Sequence, residues 1–245
     1  MNFFDIIFGS IFGPIIGSPI TSIYLLLCTV FLCALFQIFV LRKAVKKEGA
    51  CLTASHFVLV YIFLFYLMGV YLMTGMGTIW EMGMHNSFLR PGEVYLIPFE
   101  NFNISNLMSI FSNEVLNIVL MIPLGILLPM IWTEFRSVKK VALTGFVFSL
   151  AIEISQLINI RASTIDDLIM NTLGTIIGYL IFRCIYKIAF KDREYSNKSK
   201  SISFILRNEA IIYLICSFVG VFFLFNEPLP YNLMNPGWET NGMMR

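Results

Sequence analysis

Glu153, Gln156, Arg161, Asp166, Asp167 and Asn171 lie close together between two long apolar runs, and Asn117 precedes them on a third. Taking an ionisable group to the centre of a bilayer costs about 2.5–3.5 kcal/mol, so intramembrane charges mark either a site or a pairing. Residues of these types could do one kind of chemistry without a metal: Glu153 as general base, with Asp167 polarised by Arg161, acting on a head group that enters from outside. They could equally hold a ligand without changing it, or pin helices together. There is no HExxH, no GxSxG and no Cys/His metal spacing, so zinc protease and serine hydrolase readings lack their parts, and no cofactor or metal is expected.

The solvent for these groups follows from composition. Hydrophobic residues make up 58% of the 245 residues and charged residues 13%, against about 25% charged in soluble domains. The chain reads as an all-α polytopic membrane bundle, one membrane domain over residues 1–245. Six segments are apolar enough to span: Ile20–Leu41, Thr53–Thr74, Leu116–Trp132, Val141–Ile160, Leu168–Ile188 and Glu209–Phe225. Lys and Arg collect in cytoplasmic loops. With both termini extracytoplasmic, all but Arg90, Arg161 and Arg245 of the 17 basic residues fall inside, so the net charge of +2 is a topology signal and gives no reason to expect nucleic acid.

Depth then gathers the polar groups. On these boundaries Glu153 lies about 10 Å and Gln156 about 6 Å below the outer end of the fourth span; Asn171 lies about 6 Å into the fifth, and Asn117 opens the third at the same level. On a helix of 100° per residue Asp167, Asn171, Gly174 and Gly178 share a stripe about 60° wide. Gly174 and Gly178 form a GxxxG pair that lets another helix approach closely. The short link at 161–166 makes the fourth and fifth spans antiparallel neighbours. Arg161 is expected to pair with Asp166, Asp167 or Glu153; a solvated turn, with Asp166 capping the fifth helix, explains the same residues without a ligand.

Other elements frame this hairpin. Pro123 and Pro129 free the carbonyls of Val119 and Gly125, and the resulting kink either lines a cavity or is structural. The long outer connection, about Gly75–Glu114, is expected to lie across the outer face as a lid, with Leu96-Ile97-Pro98-Phe99 dipping into the interface. Residues 3–16 are too short to span and read as an interfacial or re-entrant segment. His56 and His85 stand alone in the sequence and read as surface or interfacial residues.

Taken in order, Leu96-Ile97-Pro98-Phe99, Asn117, Pro123, Gly125, Pro129, Glu153, Gln156, Arg161, Asp166, Asp167, Asn171, Gly174, Gly178 and Tyr179 resemble the pattern of the VanZ-like membrane proteins over about residues 90–183. Where that family has Asn before "LIPF", this chain has Tyr95. The resemblance implies a protein of the cytoplasmic membrane of a Gram-positive bacterium. The family's named member is associated with low-level resistance to teicoplanin, a lipoglycopeptide that binds peptidoglycan precursors, and no reaction is assigned to it.

Together these readings point to an outward-facing pocket in which Asn117, Glu153, Gln156, Arg161, Asp166, Asp167 and Asn171 hold a membrane lipid, a lipid-linked peptidoglycan precursor or a lipoglycopeptide. A carboxylate-dependent enzyme using Glu153 and Asp167, a small transporter and a scaffold for a cell-wall enzyme are the competing expectations. Nothing in the sequence specifies an oligomeric state.

Overall fold

The computed structural model describes residues 19–49, 52–82, 94–95, 97–98, 107–158, 163–189 and 204–226. Each of the six apolar segments is a helix. The first, α1 (Pro19–Phe36), runs through a π turn at Gln37–Leu41 into α2 (Arg42–Glu48), which stops at Gly49 in the left-handed region, φ 61°. Next comes α3 (Ala54–Thr74). Thr53 caps its start by accepting the His56 N–H, and Gly75 at φ 60° ends it, a conformation that costs glycine little. Then follow the strand β1 (Val94–Tyr95), α4 (Leu107–Ile131), α5 (Val138–Gln156), the strand β2 (Ser163–Thr164), α6 (Ile165–Ala189), the single turn α7 (Phe204–Arg207) and α8 (Glu209–Leu224).

The helices form two packed groups. In one, α4 and α5 both pack on α6; in the other, α1 packs on α8, and α3 touches α1, α4 and α8 and so joins the groups. The α4–α6 contact is the most extensive, and its cause is glycine. A Cβ on Gly178 would meet the Ile122 carbonyl and approach Gly125 Cα to 3.0 Å, while one on Gly174 would meet Ile118 at its carbonyl and Cα. The GxxxG face therefore seats the proline-bearing helix, and Gly125 is the small residue opposite it.

The exterior is apolar and the interior partly polar, the reverse of a soluble domain. Leu27, Leu143 and Ile188 are 63%, 63% and 79% exposed, whereas Glu153, Gln156, Asn171 and Glu209 are buried. Among the described residues, four helical stretches, Pro19–Glu48, Ala54–Glu81, Glu114–Ile131 and Ile165–Ile188, are long and apolar enough to cross a membrane. At 16 residues, α8 is short for a span, and α5 carries Lys139, Lys140, Glu153 and Gln156 among its 19 residues.

Three boundaries differ from those read off the sequence, and each moves a site residue. Helix α4 begins at Leu107 rather than Leu116, so Asn117 sits within it instead of opening it. Helix α5 ends at Gln156, not Ile160, which leaves Glu153 about 4–5 Å from the helix end instead of 10 Å. Helix α6 starts at Ile165, which puts Asp167 in its first turn and Asn171 about 9 Å along it. Hydropathy registers where side chains turn apolar, so it misses the polar early turns of α4 and α6 and carries α5 past its end into the apolar turn at Leu157 and Ile158.

Candidate functional site

A cavity of about 240 Å³ opens where α3 and α5 end and α6 begins. Its walls are Met73 and Thr74 from α3, Leu116, Asn117 and Leu120 from α4, Glu153 and Gln156 from α5, and Asp167 and Asn171 from α6. The structure thus brings together five of the seven residues that the sequence singles out. Asp166 lies in the first turn of α6 but does not line the cavity. Arg161, with its expected pairing to Glu153, Asp166 or Asp167, lies outside the described residues, as do His85 and residues 3–16.

Each polar group is held by a neighbour. Asn117 Nδ2 donates to Asp167 Oδ1 at 2.5 Å, tying α4 to the start of α6. Gln156 Nε2 donates to the Thr74 carbonyl at 2.7 Å, tying α5 to the end of α3. Asn171 Nδ2 meets Ser149 Oγ at 2.9 Å across the α5–α6 contact. Glu153 Oε2 accepts the backbone N–H of Thr164 at 3.2 Å. Gln156 Oε1 and Asn171 Oδ1 are buried with no hydrogen-bond partner among the described residues.

The link between α5 and α6 is built on Thr164. Its hydroxyl accepts the Asp167 N–H at 3.1 Å, so Thr164 caps α6, correcting the expectation that Asp166 does. Asp166 and Asp167 then occupy the first turn, where the helix dipole favours negative charge. Thr164 with Asp167 three residues on is the sequence pattern of an N-terminal cap, and it was there to be read. The same residue pairs in parallel with Tyr95, and Ser163 with Val94. The stretch before Pro98 is thereby fastened to the link that holds Glu153, while Ile97 and Pro98 themselves are exposed. Leu96 and Phe99, the other residues of the segment expected to dip into the interface, lie outside the described residues.

The proline region behaves as one helix. Both Pro123 and Pro129 lie inside α4, and the turn before Pro123 supplies Leu116, Asn117 and Leu120 to the cavity. The Tyr66 hydroxyl donates to the Leu120 carbonyl at 2.9 Å, supplying an acceptor near the proline with a donor from α3. Sequence reasoning missed Thr74 and Ser149, whose roles are set by partners on other helices. It also missed Glu114, on α4 three residues before Asn117. Glu114 lies within electrostatic reach of Asp167 and Asp166, and its Oε2 is buried without a hydrogen-bond partner among the described residues. Its spacing to Asn117 was a usable signal.

At the opposite end of the bundle a second polar cluster corrects the reading of His56 as isolated. His56 Nε2 lies 2.9 Å from Glu209 Oε1, and Trp132 Nε1 donates to Glu209 Oε2 at 3.1 Å. One turn further along α8, Tyr213 accepts Gln37 Nε2 at 2.9 Å, and Gln37 Oε1 accepts the Tyr61 hydroxyl at 2.9 Å. Among the described residues no three His, Cys, Asp or Glu gather as metal ligands.

An apolar helical bundle enclosing a polar cavity at one end defines a helical membrane protein with a pocket among its helices. The chain belongs to the VanZ family: the family model described as VanZ/LLP1 matches residues 57–187, more than half of its length. The match contains every residue that lines the cavity and takes in α3, which the sequence motifs do not reach; His56 and Glu209 fall outside it. No curated protein and no solved structure matches the chain.

Proposed function

We propose that this protein recognises an amphiphilic cell-envelope molecule, a lipid-linked precursor or a lipoglycopeptide, in a pocket open to the outer face of a Gram-positive cytoplasmic membrane. Binding there would lower teicoplanin susceptibility in a suitable host. One observation supports this reading above the others: five amide and carboxylate side chains from three helices line one cavity within a bundle whose exterior is apolar. A pocket of that kind suits a molecule with one polar and one apolar end.

Orientation comes with the proposal. The cavity lies at the end away from Arg42, Lys46, Arg136, Lys139, Lys140, Arg183 and Arg207, so by the positive-inside rule it faces outward, with six crossings and both termini outside. Thiol labelling of introduced cysteines should mark position 85 and spare position 47; the reverse pattern sinks the orientation.

The decisive experiment uses Glu153→Gln and Asp167→Asn at wild-type expression. Loss of drug tolerance and of co-purified amphiphile in either variant is expected; unchanged behaviour in both leaves a scaffold. A second reading, carboxylate-dependent chemistry, draws on the presence of Glu153 and Asp167 in the same cavity. A new lipid mass after incubation of the purified protein with envelope lipids would favour it, and retained but unaltered lipid favours binding.

A further inference from the structure

The basic end of the bundle holds a face that neither the cavity nor the second polar cluster uses. Along α1 the buried positions run through Leu25, Cys28, Cys33 and Phe36, and in an unbroken helix the stripe of Phe36 would continue through Val40, Lys43 and Lys47. It does not. The π turn at Gln37–Leu41 takes up one extra residue, so that Leu41 and Ala44 are buried instead, while Val40 is 39% exposed and Lys43 and Lys47 are exposed. Without that turn two lysines would point into the bundle. Counted from Arg42 at 100° per residue, Arg42, Lys46, Lys43 and Lys47 fall at about 0°, 40°, 100° and 140°, and all four are exposed. Ala44, Glu48, Leu41 and Val45 fall on the opposite side, between about 200° and 300°, where Leu41 and Ala44 are buried and Val45 packs against the core. One side of α2 therefore seats the helix, and the other carries four positive charges away from its one carboxylate. None of the four side chains has an ion pair or hydrogen bond among the described residues.

Depth says what those charges can meet. The helix from Pro19 to Glu48 is continuous over 30 residues, and at 1.5 Å per residue Arg42 falls about 35 Å along it. That is past about 30 Å of hydrocarbon and within the 40–45 Å that includes the head groups. We infer that the exposed face of α2 docks anionic phospholipid, with Arg42, Lys43, Lys46 and Lys47 reaching the head-group phosphates. Clustered cations immediately beyond a span are drawn to a negatively charged leaflet. A zwitterionic lipid brings its phosphate together with an ammonium that offsets it, and an acidic protein would have to descend among the head groups to reach the same face. This docking is independent of what fills the cavity, and the orientation proposed above places it in the inner leaflet.

The test uses the full-length protein in detergent at low salt, with retained lipid read by native mass spectrometry. The probes are phosphatidylglycerol and phosphatidylcholine of one chain length, offered in equal amounts. Preferential retention of phosphatidylglycerol is expected. Lys43→Gln should lower that preference about fivefold, the scale of one cation at an anionic surface, and adding Lys47→Gln should lower it again. Lys139→Gln with Lys140→Gln removes the same charge from the exposed start of α5 and should leave the preference in place. Lys43→Arg with Lys47→Arg keeps the charge and should keep the preference. All four lysines are exposed, so none of these variants disturbs packing. Equal retention of the two lipids by the wild type overturns the proposal. An equal loss from the α5 pair overturns it too, because the effect would then belong to the general positive charge of that end and not to α2.

Discussion

The two ends of the bundle handle buried polarity in opposite ways. At the basic end Glu209 accepts from Trp132 with one oxygen and meets His56 with the other, and Gln37 uses both ends of its amide on Tyr213 and Tyr61. At the cavity end Gln156 and Asn171 satisfy only their donors. In a bilayer an unmatched polar atom costs more than at a water-facing surface, so a fold that closes one cluster and leaves the other open has separated two tasks. The closed cluster fastens α3, α4 and α8 together; the open one borders the cavity proposed as the binding site. The family match holds the whole cavity and, of the closed cluster, takes in Tyr61 and Trp132 but not Gln37, His56, Glu209 or Tyr213.

Substitutions can break this contrast, and their effects on stability should fall in a set order. The largest belongs to Glu209→Ala, which strips His56 and Trp132 of their shared partner. Removing one member of a buried pair costs about 3–5 kcal/mol, to be read from denaturant unfolding in micelles; a loss under about 1 kcal/mol would mean that the basic end is no fastening. Next comes Gly178→Val, whose branched side chain would meet the Ile122 carbonyl and Gly125. Overpacking of that kind costs about 1–3 kcal/mol, and its absence would show that α4 and α6 can separate freely.

Thr164→Val sharpens the comparison at the link. Loss of the cap on α6 costs about 1 kcal/mol, and amide exchange at Tyr95 and Asp167 should quicken together, because Thr164 touches both. If only Asp167 responds, the β1–β2 pairing holds without it. The smallest stability change is expected for Asn171→Leu: it deletes an unmatched buried oxygen while taking away the Ser149 partner, and these oppose one another to within about 1 kcal/mol. Retention of the proposed amphiphile should nonetheless fall. A variant both destabilised and still able to bind would turn the open cluster into another fastening.

Much of this was legible in the chain. Glu153, Gln156 and Asn171 could be brought to one level from helix rise alone, and the Asp167–Gly178 stripe anticipated which face of α6 would meet another helix. Absolute depths were less reliable, because they were measured from span ends that hydropathy sets by apolarity, whereas α4 and α6 reach back through polar turns and α5 stops before its apolar run does. Partners across the fold were not legible. Gln156 and Thr74 stand 82 residues apart, and His56 and Glu209 153 apart; neither pair has a local spacing to betray it. Glu209 read as the edge of a span and His56 as a stray imidazole, though each opens a helix at the same end of the bundle.

By itself the sequence determined that this is a helical membrane protein and which helices carry polarity, because length, apolarity and helical period are properties of the chain alone. It also determined that α6 would admit another helix closely along its glycine face, since glycine removes bulk wherever it stands; that this helix is α4 was decided by the fold. Only the tertiary structure decided which polar groups are consumed and which remain. The sequence leaves an amide's direction open; the Thr74 carbonyl and the Asp167 carboxylate, which only accept, fix those of Gln156 and Asn117.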